Sequence, residues 1–270
     1  MFDLAALEAD LAHTAYAGKL HFSPVTGSTN SDAMAAARSG ESHGAVFLAD
    51  EQTAGRGRGD HAWHSAAGEG LYVSVLLRFD LATAFLPLLP LAAGLAAADA
   101  IRTVTGLVVD LRWPNDLLLG PRKTGGILVE AQSQAQPEAT ASAFAVVGIG
   151  INVHQRSFDP GLATPATSLD LEAGYVFGQR TSRQALLTGL LKSLERETRG
   201  LLDPAVRGTI PARVEKASTW VRGRLVEVHG PQAYMGTTEG LDEHGFLMLR
   251  TKEGLVQVQT GGIRETAVSY

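Results

Sequence analysis

The segment that most constrains the fold is residues 52–63, which run Gln-Thr-Ala-Gly-Arg-Gly-Arg-Gly-Asp-His-Ala-Trp. Three glycines alternate here with Arg56 and Arg58. Neither a helix interior nor a strand interior favours that pattern, because each glycine gives up side-chain contacts and costs backbone entropy on ordering. Each arginine carries a fixed positive charge in a planar fork that matches carboxylate and phosphate oxygens. The segment predicts either an anion-binding loop that orders when a ligand arrives, or a solvated turn with two surface arginines.

Composition narrows the possible functions. The 270 residues can bury a core as one large domain or as a large and a small one. The formal net charge of −5 argues against general nucleic-acid binding by electrostatics. The chain has no cysteine, which excludes disulfides, cysteine nucleophiles and thiolate metal sites. The N-terminus has no basic region before an apolar stretch, so no signal peptide is predicted.

The most apolar stretch, residues 82–101, is about as long as a membrane span. Pro87 and Pro90 lie near its start, where proline suits a helix N-terminus, and its alanines make it only weakly hydrophobic. It is predicted to be a buried or half-buried helix.

Periodicity predicts both helices and strands along the chain. The helices are expected over 2–17, 31–38, 86–104 and 182–200, and the strands over 45–49, 71–79, 107–112, 127–132 and 144–151. The last of these helices is expected to be amphipathic, with one leucine stripe formed by Leu186, Leu187, Leu190, Leu191 and Leu194. Ser28 and Thr29 are good candidates to cap the second helix. Residues 131–141 are predicted to form a polar loop or hairpin tip.

The pattern of apolar residues changes after residue 213. Short alternating segments at 225–228, 234–238, 246–249 and 255–258 are separated by turn signals roughly every ten residues, which is typical of a small β-barrel. We therefore predict one domain over 1–213 and a small C-terminal β-barrel over 214–270.

A second candidate segment runs Arg-Trp-Pro-Asn-Asp over 112–116 and continues at Lys123 with Thr-Gly-Gly-Ile. A strand that runs into Trp-Pro must stop there, because proline removes a hydrogen-bond donor and restricts its predecessor. Asn115 and Asp116 then lie at the strand end, where Asp116 is suited to a metal or a cation. A Pro-Asn-Asp turn beside a surface lysine accounts for the same residues equally simply.

A third candidate segment is Gly-Ile-Gly-Ile-Asn-Val at 148–153. Glycine weakens a strand of β-branched residues, so its presence indicates close approach of a ligand or of another backbone. Asn152 is suited to a base edge or a ribose. A core strand with packing glycines is the alternative.

Other chemistries have little support. The sequence contains neither a Gly-x-x-x-x-Gly-Lys-Ser/Thr phosphate loop nor a Gly-x-Ser-x-Gly nucleophile turn. His61 and His64 lie three residues apart, but no third ligand with metal-site spacing follows.

Taken together, the segments resemble the biotin–protein ligases, also called biotin–[acetyl-CoA-carboxylase] ligases. The resemblance covers nearly the whole chain, and its order and spacing are specific. The matching stretches are 28–30, 51–58, Trp63, 113–116, Lys123, 125–130, 148–152 and, in the small barrel, 240–247.

The resemblance implies an α+β fold, in which a mixed β-sheet packed with helices forms the catalytic domain and a small SH3-like β-barrel follows. It implies ATP-dependent ligation of biotin to one lysine of a biotin carboxyl carrier protein, through biotinyl-5′-adenylate, with Mg²⁺ accompanying ATP. The expected partner is the carrier domain of acetyl-CoA carboxylase or a related carboxylase, and a homodimer is possible. Because the chain starts close to the catalytic domain, no DNA binding is expected, and neither is membrane association. The expected location is the cytoplasm.

The resemblance also assigns site residues. Catalytic roles fall to Lys123, Arg58, Arg56 and Asp116, and Asp116 is also the candidate metal ligand. Biotin is expected to contact Ser28, Thr29, Asn30, Gln52, Arg56, Gly57, Arg58, Lys123 and Gly126. The nucleotide is expected to contact Arg58, Trp63, Asn115, Lys123 and Asn152. Trp63 and Trp113 are suited to covering apolar ligand surface.

Two positions depart from the family pattern. Arg112 stands where lysine is common, and arginine is longer and planar. Gly-Asp-His-Ala at 59–62 replaces a more basic stretch, so Asp60 lowers the positive charge near the loop.

Two rival functions remain open at this level. A lipoate or octanoate ligase or transferase has a related catalytic fold, although the stretch from Gln52 to Arg58 favours biotin. A non-catalytic module that binds nucleotides or RNA through the glycine–arginine segment leaves Lys123 and Asp116 unexplained, and the negative net charge speaks against RNA.

Overall fold

The structure is a computed structural model that describes residues 2–59, 61–78, 81–132, 144–174, 180–230 and 233–266. Its helices are α1 (Leu4–Leu11), α2 (Thr29–Arg38), α3 (Leu88–Thr105), α4 (Leu169–Ala173), α5 (Arg183–Gly200), α6 (Pro204–Arg207) and α7 (Ile210–Lys216), with a 3-10 helix at Thr83–Phe85. Its strands are β1 (Leu20–Thr26), β2 (Val46–Gln52), β3 (Gly70–Leu77), β4 (Asp110–Arg112), β5 (Asp116–Leu119), β6 (Arg122–Gln132), β7 (Phe144–Asn152), β8 (Arg222–His229), β9 (Tyr234–Leu241), β10 (Leu247–Thr251), β11 (Gly254–Val258) and β12 (Gly262–Glu265).

The first seven strands form one mixed sheet in the order β1-β2-β3-β7-β6-β5-β4. Strand β1 runs parallel to β2, and the other neighbours are antiparallel. Alternate residues of a strand face opposite sides of a sheet. Val73 and Val75 of β3 join the main core, whereas Leu76 packs with Ala33 of α2 on the other face. Ser74 is two residues from Leu76 and therefore faces α2 as well.

Helices α3 and α5 pack together and supply much of the main core. The leucine stripe expected on α5 is fully buried, and each such side chain contributes roughly 1.5–3 kcal/mol by leaving water. Within the described residues, α3 is the helix that meets the length and composition criteria for a membrane span, but 56% of it is buried inside the protein. The prediction of a buried helix is therefore correct.

The remaining strands form an antiparallel sheet in the order β11-β10-β9-β8-β12. A side-chain hydrogen bond joins it to the first sheet just after β4, where Trp113 Nε1 donates to the Gly245 carbonyl between β9 and β10 at 3.0 Å. The Leu111 amide of β4 also donates to the Ala217 carbonyl, which directly follows α7, at 2.9 Å. The small sheet thus lies beside the edge of the large one, where β4 ends and β5 begins.

The predicted α+β class is confirmed, and the second sheet is consistent with the expected small barrel. Strands β1, β5 and β12 were not predicted. Strand β1 alternates apolar and polar residues only over 20–23 before Pro24 interrupts the pattern, while β5 opens at Asp116, which was expected at a strand end or in a turn. Residues 133–141 of the predicted polar loop lie outside the described residues. The predicted boundary at 213 falls within α7, and the division into two domains stays a prediction.

Candidate active site

Residues 53–64, called the glycine–arginine loop below, fold back as an irregular hairpin between β2 and β3. The Gly57 amide donates to the His61 carbonyl at 2.7 Å, and two isolated bridges join the arms. Gly59 turns the tip with φ +60°, a conformation that costs glycine little. Asp60 lies outside the described residues. Backbone bonds between its two arms therefore hold the described part of the loop.

A neutral polar pocket lies beside the start of this loop. We call Ser28, Thr29, Asn30, Gln52 and Ser74 the amide pocket. Gln52 Oε1 accepts from the Thr29 amide at 2.9 Å and from its hydroxyl at 3.1 Å, and Ser74 Oγ donates to Asn30 Oδ1 at 2.6 Å. Ser28 is the N-cap of α2 but makes no side-chain cap bond, so the capping role expected of it is not seen. Instead, the side-chain carbonyl of Gln52 accepts a hydrogen bond from Thr29, the first amide of that helix.

The glycines of the central strands let side chains approach the sheet. A Cβ on Gly148 would overlap the Asn30 side-chain oxygen, and one on Gly150 would lie 2.6 Å from Trp63 Nε1. A Cβ on Gly126 would lie 3.5 Å from the same tryptophan ring. The neighbours that approach Gly148 and Gly150 are therefore side chains rather than another backbone, and the approach of a ligand to them stays a prediction.

Lys123 lies in a cluster of three charged side chains. Its Nζ is 2.5 Å from Asp116 Oδ1, and Arg112 Nη2 is 2.6 Å from Asp116 Oδ2. The Asp116 side chain is only 15% exposed. Burial raises the pKa of that carboxyl, but the charges of Lys123 and Arg112 outweigh burial and hold the pKa below its ordinary value. Asp116 is therefore an anion at neutral pH that is shared between two cations.

We expect the stability contributed by Asp116 to disappear in acid. Because its pKa in the folded state lies below the unfolded value of about 3.9, the contribution is fully present above that value and is lost as pH falls through the folded pKa. Asp116→Asn is expected to lower the free energy of unfolding by about 3 kcal/mol at pH 7, since two cations lose their counter-ion. Urea unfolding of both proteins at pH 7 and near pH 3 measures this, and a difference that does not shrink in acid contradicts it.

The first loop arginine is held by a carboxylate of β6. Arg56 Nη2 lies 2.6 Å from Glu130 Oε2, and the same oxygen accepts from Asn30 Nδ2 at 2.8 Å. Glu130 therefore links the loop to the amide pocket.

The second loop arginine reaches the small sheet. Arg58 Nη1 donates to the Gly261 carbonyl at 2.9 Å and to Asn115 Oδ1 at 3.4 Å. Burial lowers the pKa of the guanidinium and the charge of Asp116 opposes that effect. Arginine remains a cation through such a change, so Arg58 is a charge that connects the loop to both sheets.

The two tryptophans have different positions. Trp63 lies in the cleft with Lys123 Nζ 5.6 Å from its ring centre, and its buried Nε1 has no hydrogen-bond partner among the described residues. Buried donors are normally paired, so this one is available to an acceptor on a ligand. Trp113 is 4% exposed and donates to Gly245. The expectation that Trp113 covers ligand surface is wrong, because the ring packs in the core.

All residues assigned to biotin, nucleotide or catalysis line one cleft of about 1540 Å³. Asn115 and Asn152 lie in its wall with their amides already used: Asn115 Nδ2 donates to the Ile127 carbonyl at 2.8 Å, and Asn152 Nδ2 to the Thr167 carbonyl at 3.0 Å. Their oxygens also accept hydrogen bonds, from Arg58 at 3.4 Å and from Gln155 at 3.3 Å, so these two side chains hold the wall of the cleft in place.

Sequence reasoning missed Glu130, Ser74 and Gly261. Glu130 ends a stretch that carried the family resemblance, but nothing indicated its partner. Ser74 is the one serine in a strand that is otherwise glycine, tyrosine and aliphatic residues, a signal that was present and unused. Gly261 contributes only a carbonyl, which no residue-type pattern reveals.

The arrangement does not suit Asp116 as a ligand of Mg²⁺. Both its oxygens already face cations, and no group of three His, Cys, Asp or Glu side chains in the described ranges is placed to hold a metal ion. A hard divalent cation takes several oxygen ligands. The residues present do not fit a protein-held magnesium site at this position.

Comparisons with known proteins agree with this geometry. The sequence profile of the "Biotin/lipoate A/B protein ligase family" matches residues 23–152. The "Bifunctional ligase/repressor BirA" of Bacillus subtilis (strain 168) is 33% identical over 252 residues, which cover 90% of this chain and 73% of that protein. The "Biotin--[acetyl-CoA-carboxylase] ligase" of Mycobacterium tuberculosis is 35% identical over 248 residues, covering 88% and 85%.

Among solved structures, the biotin protein ligase from Aquifex aeolicus in complex with biotin and ATP superposes with a TM-score of 0.75 at 28% identity, covering 92% of this chain and 100% of that one. The agreement extends over both sheets rather than over one motif. The chain therefore belongs to the biotin/lipoate A/B protein ligase family, on its biotin–protein ligase branch.

Proposed function

We propose that this protein ligates biotin to a lysine of a biotin carboxyl carrier domain in two steps, by forming biotinyl-5′-adenylate from biotin and ATP and then transferring the biotinyl group. One observation carries the proposal: a neutral amide pocket and three cationic side chains, Arg56, Arg58 and Lys123, line the same cleft. The relatives named above support biotin, ATP and a carboxylase carrier as the substrates.

The amide pocket is suited to the ring end of biotin. The ureido group is neutral and offers two N–H donors and one carbonyl, which uncharged hydroxyls and amides match better than charges do. Thr29, Asn30 and Gln52 supply such groups and are held in place by one another and by Ser74.

The first step joins two anions, the biotin carboxylate and the α-phosphate of ATP. Their repulsion has to be neutralised and their geometry fixed, and in phosphoryl-group chemistry these effects supply most of the rate. Lys123 lies between the amide pocket and the nucleotide wall, and we assign it to both anions. Arg56 and Arg58 add charge from the loop. We propose Mg²⁺ only as the ion that accompanies ATP, and the roles assigned to Lys123, Arg56 and Arg58 do not depend on it.

The second step requires the mixed anhydride to be kept from water until the carrier lysine arrives. The glycine–arginine loop covers the cleft and has the backbone freedom to close over the adenylate. Asn115, Asn152 and the unpartnered Trp63 Nε1 are the groups we assign to the nucleotide.

We expect trypsin to cleave after Arg56 and Arg58 in the free protein and to do so at least about tenfold more slowly with saturating biotin and ATP, because ligand binding stabilises the closed loop. Cleavage sites and rates are measured by mass spectrometry over time. Lys252, in the exposed turn between β10 and β11, is the internal control and is expected to keep its rate. Equal loop cleavage with and without ligands contradicts the closing-loop proposal.

The proposed activity is tested by ATP–pyrophosphate exchange. Exchange that requires biotin supports the first step, and labelled biotin appearing on a carrier domain supports the second. Folded protein that shows no biotin-dependent exchange overturns the proposal.

A lipoate or octanoate ligase is the nearest rival, and it requires a long apolar slot for an acyl chain. The polar amide pocket favours biotin over such a chain. Offering labelled biotin and labelled lipoate with ATP and a carrier domain separates the two functions, because each ligase labels the carrier with its own substrate.

The acceptor we propose is the carrier domain of acetyl-CoA carboxylase or a related carboxylase. We place the ligase that modifies it in the cytoplasm. A homodimer, and the absence of DNA or membrane binding, stay predictions from the family resemblance. Size-exclusion chromatography with light scattering, with and without biotin and ATP, determines the oligomeric state.

A further inference from the structure

Arg112 is a largely buried cation in the wall of the cleft, next to the candidate catalytic lysine. The residue is 8% exposed and its Nε and Nη2 donate to Asp116 Oδ2 at 3.1 and 2.6 Å. Lys123 Nζ takes the other oxygen, Oδ1, at 2.5 Å. Each oxygen of one carboxylate therefore has its own cation, and the lysine side chain is the more exposed of the two cations, at 27% against 9%.

Arg112 is itself held from two further directions. Its Nη2 donates to Thr164 Oγ1 at 2.9 Å, and its guanidinium carbon lies 5.2 Å from the ring centre of Trp220, just before the small sheet begins. A planar guanidinium fixed at these points can hold the carboxylate in one orientation. A lysine ammonium in its place keeps the charge but is a point donor on a flexible stem.

Removing Arg112 is expected to change the position of Lys123. The charge of Arg112 repels the ammonium of Lys123, and this repulsion offsets part of the attraction between that ammonium and Asp116. Without Arg112, the Asp116 carboxylate is free to rotate and to bind the ammonium with its whole charge, which draws Lys123 away from the cleft. The net charge of the cluster also falls from +1 to zero where two anionic substrates are to meet.

We propose that Arg112 is a positioning residue for Lys123: through Asp116 it places the lysine ammonium where the biotin carboxylate and the α-phosphate meet. The inference rests on the proposed function. It concerns the chemical step of adenylate formation rather than ground-state binding, so it predicts a loss in kcat with little change in KM.

The chain offers a matched control. Arg224 lies 3.9 Å from the ring centre of the same Trp220, but its Nη2 pairs with Glu265 at 3.1 Å. Arg224→Met thus removes an arginine from the same tryptophan without removing a partner of Asp116.

The experiment measures biotin-dependent ATP–pyrophosphate exchange for wild type, Arg112→Met, Arg112→Lys, Asp116→Asn, the Arg112→Met/Asp116→Asn double variant and Arg224→Met. Thermal unfolding verifies that each is folded. We expect Arg112→Met to lower kcat about tenfold to a hundredfold, the effect of misplacing a reacting group by about 1 Å, with both KM values within about threefold of wild type. Arg112→Lys is expected to recover part of the loss, and Arg224→Met to match wild type.

The double variant decides whether Arg112 acts through Asp116. If it does, Arg112→Met causes no further loss once Asp116 is asparagine, because the two changes interrupt one connection. Losses that multiply overturn the proposal, as does a raised KM at unchanged kcat, or an equal loss in Arg224→Met. If Arg112→Met does not fold, Arg112→Lys decides: wild-type kcat in that variant overturns the positioning role. Absence of exchange in the wild type would instead refute the proposed function.

Discussion

Lys123→Ala is expected to lower biotin-dependent ATP–pyrophosphate exchange by about 10²–10³-fold, the effect of removing one preorganised electrostatic group from a reaction centre. The side chain is the cation of the three-residue cluster that extends toward the cleft, with its Nζ 2.5 Å from Asp116 and 5.6 Å from the Trp63 ring centre. Asp116 keeps Arg112 as its partner in this variant, so the fold is expected to survive.

Two controls accompany this variant. Lys192→Ala removes an exposed lysine from α5 and is expected to leave exchange unchanged. Lys123→Arg retains the charge in a longer, planar group and is expected to recover only part of the rate. Near-normal exchange in Lys123→Ala, with wild-type thermal stability, would remove the lysine from the reaction centre.

Gly148→Ala is expected to raise the KM for biotin about tenfold to a hundredfold. The new Cβ would overlap the Asn30 side-chain oxygen, which Ser74 holds at 2.6 Å, so the amide pocket must change shape. Overpacking of this kind costs about 1–3 kcal/mol, and each 1.4 kcal/mol corresponds to about tenfold in binding. Initial-rate exchange kinetics at varied biotin measure the effect.

Gly189→Ala is the matched control for this substitution. It lies on α5, where a Cβ would make an ordinary contact at 3.7 Å with Ala100. Alanine in a helix interior stabilises by up to about 1 kcal/mol relative to glycine, so its KM for biotin is expected to equal that of wild type. An unchanged KM in Gly148→Ala would mean that Asn30 does not contact biotin.

The elements that could be predicted are those whose signal lies in neighbouring residues. The leucine stripe of α5 and the alternating segments of the small sheet were found from their periods. Strand β5 was missed because Asp116 follows Pro114 and Asn115 and has the composition of a turn. Backbone pairing with β4 and β6 makes it a strand, and the residue types of β5 do not reveal that pairing.

The candidate site divides in the same way. Residue types over short stretches made 52–63 a candidate for anion binding but left a solvated turn equally open, because glycine freedom and guanidinium charge act locally. The family resemblance, and not those residue types, assigned Arg56, Arg58 and Lys123 to the reaction. The partners of those charges could not be predicted from short stretches of sequence, because Glu130 lies 74 residues from Arg56 and Gly261 lies 203 residues from Arg58.

The position of Trp113 and the function of Arg112 likewise depended on packing. A tryptophan suits a ligand surface and a core equally well by composition, and only the small sheet's Gly245 carbonyl determines which it is here. The departure from lysine at position 112 was visible in the sequence as a change of one residue. The folded chain turns it into a buried contact among Asp116, Thr164 and Trp220, because distances between residues far apart in sequence are set by how the sheets pack and not by local residue preference.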